Sequence, residues 1–144
     1  MISTKIYTIH REGWNEYFEL HVSRNTKIMR AHIEELAKDQ GWSEAAKDLK
    51  DTEGMVHPVI SNEGLFALLF LSREHLGVGV VAHECLHVAM AHERFILRFG
   101  MEYGDGLENL EHEERLAYFL THCIRGVYNA LYENGHIPSP KEDV

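Results

Sequence analysis

Val78-Gly79-Val80-Val81-Ala82-His83-Glu84-Cys85-Leu86-His87-Val88-Ala89-Met90-Ala91 is the stretch on which the reading of this chain turns. It is almost wholly apolar, yet it carries two histidines and a glutamate in the spacing His-Glu-x-x-His. On a helix, residues four apart stand one above the other on a single face. Both imidazoles can then share one divalent cation while Glu84 sits beside it. With 11 histidines in 144 residues the bare spacing is a weak signal, and the weight lies in its surroundings. Burying a carboxylate and two imidazoles among Val, Ala and Met is costly unless something pairs with them, and a metal ion does so.

A catalytic zinc ion takes three protein ligands and a water, so a third donor has to come from elsewhere. A third imidazole further along the same segment would need Gly at 90 and His at 93, where Met90 and Glu93 stand. His92 is five residues past His87 and points off the face that the pair shares. Cys85 faces away as well. The better donor follows a reversal containing Gly100, Gly104 and Gly106, in Glu111-His112-Glu113-Glu114-Arg115-Leu116-Ala117-Tyr118. From Glu114, the residues Tyr118, Thr121 and Arg125 recur at helical spacing as a polar stripe. Leu116, Leu120, Cys123, Val127 and Leu131 form the apolar one. Glu114 is the expected third ligand and Glu113 the alternative, since a helix start is ambiguous by a residue. Carboxylates in a first turn are also favoured by the helix dipole alone, with or without a metal.

Together these residues resemble the zincin metallopeptidases on their gluzincin side, in which His-Glu-x-x-His on one helix is completed by a Glu from the next. The phrase from His75 through His87 to Glu114-Arg115-Leu116-Ala117-Tyr118 is similar to small single-domain zincin-like metallopeptidases of bacteria and phages. The similarity covers roughly residues 65 to 133. It implies a Zn2+ ion held by His83, His87 and Glu114, with Glu84 as general base. By position, Tyr118, one turn from Glu114, comes first among the candidates to steady an oxyanion, ahead of His122 and Arg125. A zinc-bound water has its pKa lowered to about 7, and Glu84 would take its proton and pass it to the leaving amine. The resemblance thus implies a zinc-dependent hydrolase, a metallopeptidase acting on a peptide or protein substrate. The alternative is a non-catalytic binding or regulatory protein in which zinc only staples two helices.

Length and composition set the frame. A chain of 144 residues reads as one domain, placed at 1–134, with 135–144 as a flexible C-terminal tail. Its hydrophobic share of 44% and charged share of 26% are those of a soluble globular protein. A net charge of −9 argues against nucleic acid or an anionic membrane as partner, and nothing basic clusters in sequence. The start lacks an apolar signal core and no apolar run is long enough to span a bilayer, so a cytoplasmic location is expected. Cys85 and Cys123 read as buried free thiols.

Along the chain, Phe18, Leu20 and Val22 alternate with polar neighbours as a half-buried strand, paired as a hairpin with residues 4 to 10. Asn25 offers an N-cap, Met29, Ile33, Leu36 and Ala37 recur at helical spacing, and Gly41 closes that helix. A short helix from Ser43 to Leu49 follows. Residues 56 to 60 and 65 to 71 read as a second hairpin, with Pro58 putting the first strand at an edge where an extended peptide can add. The metal-site helix runs to about Arg98, and the last from about Asn109 to Glu133. His57 and His75 border the site in sequence; His10, His21, His32 and His136 read as surface residues. The expected fold is α+β and zincin-like: a small twisted mixed sheet of about four strands with the helices on one side, the His-Glu-x-x-His helix and a following ligand-bearing helix.

Overall fold

The alternation in the first residues becomes two antiparallel strands, β1 (Thr4–His10) and β2 (Tyr17–Ser23), in register from Thr4 opposite Ser23 to His10 opposite Tyr17. This computed structural model describes residues 3–11, 13–61, 63–99 and 112–138. Helix α1 (Thr26–Gln40) begins where the Asn25 side chain accepts a hydrogen bond from the Ile28 amide at 2.8 Å, satisfying one of the free donors of the first turn. It ends at Gly41, whose amide reaches back to the Ala37 carbonyl. The expected helix over 43–49 shrinks to a 3-10 turn at Ser43–Ala46. Strands β3 (Gly54–Pro58) and β4 (Leu65–Ser72) pair antiparallel.

The sheet order is β1-β2-β4-β3, with β2 and β4 parallel at its centre. Parallel neighbours need a crossover, and α1 lies within it. That helix covers one face: Met29, Ile33 and Ala37 bury against Leu68 and Phe70 of β4. Helices α2 (Val78–Phe99) and α3 (His112–Glu133) cover the other, where Val81, Cys85, Val88, Cys123 and Val127 pack with Phe18, Leu20, Leu69 and Leu71. The expectation of helices on one side is therefore corrected. The apolar run of β4 is continuous because both its faces are buried, as in strands sandwiched between helical layers.

The same second layer corrects the reading of His21 and His32 as surface residues. His21 is 2% exposed on the α1 face of β2, with its Nδ1 2.9 Å from His32 Nε2 and its Nε2 3.1 Å from Glu19 Oε1. Strand β3 starts two residues earlier than expected, because Gly54 still pairs with Leu71. Pro58 ends it at the sheet edge, as its missing amide requires. Of the stretch expected as a tail, His136 Nε2 lies 2.7 Å from the Tyr7 hydroxyl and Ile137 packs on the core, while 139–144 lie outside the described residues. So do residues 109–111, where the last helix was expected to begin. Among the described residues no helix is long and apolar enough to cross a membrane.

One turn carries an exacting steric demand. Gly64 has φ +100°, and a Cβ built there would lie 2.5 Å from the Asn15 carbonyl oxygen, while its own carbonyl accepts from the Tyr17 amide. Gly79, in the first turn of α2, has nothing within 4 Å of such a Cβ. Gly64→Ala is therefore expected to destabilise by about 2 kcal/mol or more. Gly79→Ala should stabilise by roughly 0.5–1 kcal/mol through helix propensity. Urea denaturation of both variants checks the pair; equal midpoints would contradict the geometry.

Candidate functional site

Helix α2 presents three flanks. Val81, Cys85, Val88 and His92 face the core; Glu93 reaches α3, where it accepts from Arg115 Nη2 at 3.1 Å; His83, Glu84 and His87 face strand β3. The two imidazoles are exposed and adjacent, with ring centroids 4.9 Å apart in an edge-to-face arrangement, as i, i+4 spacing dictates. Together with Glu84 they line a cavity of about 310 Å³ whose other walls include Asp48, Leu49, Gly54 and Val56. An adjoining cavity of about 380 Å³ shares His83, Glu84 and Gly54 and adds Asp51 and Glu53.

Glu84 is 8% exposed and no hydrogen bond satisfies its carboxylate among the described residues. Burial raises its pKa above the ordinary carboxylate value, against the opposing pull of His83 and His87. The close approach of β3 that buries it depends on Gly54: a Cβ there would stand 3.0 Å from Glu84 Cγ and 3.3 Å from the Phe70 carbonyl. Beneath it, burial and then the Glu84 charge push the Cys85 thiol up to about 12, and burial raises Cys123 as well. Both cysteines are free and buried, as expected of inert thiols.

The structure brings His83, Glu84 and His87 together, but does not bring Glu114 to them. Going from Arg115 to Phe119 to Cys123, the partners on α2 run from Glu93 to His92 to Cys85, so the two helices are antiparallel. Glu114 thus sits at the level of Glu93, about 9 Å of helix rise beyond His87. It is also exposed, as is Glu113. The reason is the length of α2, which continues for twelve residues past His87 before ending at Phe99. As the side chains stand, no three His, Cys, Asp or Glu groups converge as a metal site among the described residues. Tyr118 is elsewhere too: its hydroxyl accepts from Arg11 Nη2 at 3.2 Å, with that guanidinium over its ring, on the β1 side of α3.

Asp48 was not singled out in sequence; it follows the 3-10 turn, and only the fold carries it to the cavity that holds both imidazoles. Of the bordering histidines, His57 stacks on Trp42 at 3.9 Å on the α1 face, and His75 Nδ1 lies 4.0 Å from Glu53 beside the second cavity. No family model, curated protein or solved structure matches the chain.

The other buried polar cluster centres on His92 and Glu16. His92 Nε2 lies 3.5 Å from Glu16 Oε1, and its ring stacks on Phe119 at 3.7 Å. Burial works to raise Glu16, but hydrogen bonds from His92 and backbone amides outweigh it and the net shift is downward. Burial lowers His92 despite Glu16, and burial followed by the charges of Arg11, His92 and Arg125 lowers His122 to about 4. A histidine neutral in the fold but free to protonate when unfolded contributes stability above its ordinary value of 6.5, lost as pH falls toward 4. Stability should therefore drop over that window, and His122→Asn should flatten the drop. Urea midpoints measured against pH test this; an unchanged slope in the variant would refute the assignment to His122.

Proposed function

We propose that the chain is a zinc-dependent hydrolase of the zincin kind, a metallopeptidase with His83 and His87 as metal ligands and Glu84 as general base. One observation carries this reading: the Glu84 carboxylate, its pKa raised by burial, opens on the cavity that both imidazoles line. A carboxylate of raised proton affinity beside two imidazoles is what a general base next to a metal-bound water would require. The donor chemistry fits zinc in its two imidazoles at i, i+4 spacing. For the third donor the geometry favours Asp48, which lines the same cavity, over Glu114.

When bound, the metal supplies Lewis-acid polarisation and lowers the pKa of its water. The chain's own groups do the rest. Glu84, with its affinity for protons raised by burial, accepts a proton from the attacking water and delivers it to the leaving amine. Among the described residues β3 is an edge strand beside the cavity, a surface on which an extended peptide would add by strand pairing. Val56, turned toward α2, and Gly54 would lie beneath it. A second reading, a zinc-stabilised binding protein without catalysis, draws on the incomplete ligand set as the side chains stand.

The purified protein is expected to hold one zinc per chain by elemental analysis, and His83→Ala to lose it. Asp48→Asn should weaken zinc at least tenfold, whereas Glu114→Gln should leave it unchanged; the reverse result would return the third ligand to α3. Glu84→Gln should keep the metal and lower cleavage of a quenched peptide library by about 10²–10⁴-fold. Zinc retained with no cleavage by the parent chain would support the binding protein instead.

A further inference from the structure

Glu84 lines a second cavity besides the one it shares with both imidazoles. That cavity, of about 380 Å³, has Gly54, His83 and Glu84 in common with the first, so the two adjoin around the candidate base. Its remaining walls are of two kinds. Gly79 and Val80, in the first turn of α2, give an apolar side without a side-chain oxygen, and Asp51 and Glu53 give an acidic one.

The acidic wall is fixed in place where the chain enters β3. Between its two carboxylates, the Thr52 amide donates to the Leu49 carbonyl at 3.1 Å, and the Thr52 carbonyl accepts from Arg30 Nη2 at 3.0 Å and Nε at 3.3 Å. Arg30 does not line the cavity, and neither does any other Lys or Arg among the described residues. Glu53 has only His75 Nδ1 near it, at 4.0 Å, and Asp51 has no ion-pair partner among the described residues. Both side chains are exposed and open to a ligand. Glu84 adds a third carboxylate from α2, 8% exposed and without a hydrogen bond among the described residues. Like charges facing one space repel, and a cation placed between them relieves this.

We propose that this cavity is a specificity subsite for a Lys or Arg side chain of a peptide substrate, with Asp51 and Glu53 as the residues that select it. This rests on the reading of His83, Glu84 and His87 as the place where a peptide is held. Long basic side chains carry an apolar stem and a charged head, matching a wall of Val80 and Gly79 that leads to two carboxylates. The placement suits strand addition, since β3 begins at Gly54, which both cavities share, and a peptide paired along the strand passes their common border. The excess of Asp and Glu over Lys and Arg in the chain, 23 to 14, draws basic peptides toward it.

Fluorescence anisotropy of dye-labelled, end-blocked Ala/Thr octapeptides on the full chain carrying Glu84→Gln tests this, with Arg or its neutral isostere citrulline placed at each position in turn. At one register the Arg peptide should bind about fivefold more tightly than the citrulline peptide, as two partly exposed ion pairs allow. The preference should vanish at about 0.5 M sodium chloride. Adding Asp51→Asn and Glu53→Gln together should reduce it below about twofold, with citrulline-peptide affinity and melting temperature unchanged. No register that prefers Arg, or an undiminished preference in the variant with both changes, would overturn the subsite. Cleavage of the same peptides by the parent chain separates this inference from the reading beneath it. Arg-selective binding without cleavage would uphold the subsite and count against the hydrolase, whereas cleavage indifferent to Arg would uphold the hydrolase and overturn the subsite.

Discussion

The two-sided burial of β4 is the constraint from which the rest of the architecture follows. Leu69 and Leu71 bury against α2 and α3, Leu68 and Phe70 against α1, and all four are at most 2% exposed. Each such side chain contributes about 2 kcal/mol when withdrawn from water. A strand apolar on both faces is stable only at the centre of a sheet with a helical layer on each side. This leaves β3 as the edge and seats α2 beside it. The flank of α2 bearing His83, Glu84 and His87 then overhangs the edge strand, so the candidate site is a consequence of where the apolar run of β4 had to go.

What was legible in the sequence divides along the same line. The His-Glu-x-x-His helix, the alternation of β2, the cap at Asn25 and the edge position of Pro58 are local features, and each is where its local chemistry puts it. The misses are non-local and two of them share one cause. Placing all helices on one side of the sheet left the odd face of β2 to solvent, and with it His21; once α1 covers that face, His21 is buried and paired with the half-buried His32. The crossover was the available signal, since a parallel β2–β4 pair requires one.

The separation of Glu114 from the imidazoles was not legible for a different reason. Helical spacing reports which face a residue occupies, but not how far along a partner helix it will lie. Antiparallel pairing converts each residue of α2 beyond His87 into displacement of the first turn of α3 away from the imidazoles, at about 1.5 Å per residue. A shorter α2 would have placed Glu114 nearer; the apolar positions Ala91, Phe95 and Ile96, all buried, keep the helix going instead. Core packing, which rewards that continuation, thus outweighs any ligand geometry that a shorter helix would have offered.

Two acid–histidine groupings involve α2, and their surroundings differ. His92 has Glu16 as a hydrogen-bond partner and an aromatic ring stacked upon it, and is 1% exposed, so its polar atoms are accounted for by the protein. Glu84, two turns earlier, is nearly as deep but borders open space instead of a partner, and Gly54 keeps that space clear by lacking the Cβ that would press on it. A carboxylate with its pKa raised by burial, bordering a cavity beside two exposed imidazoles, is a candidate functional group, whereas Glu16 is held by the fold. This argument concerns Glu84 and the exposed imidazole pair only. These three side chains are placed by one helix and one edge strand, independently of where Glu114 lies.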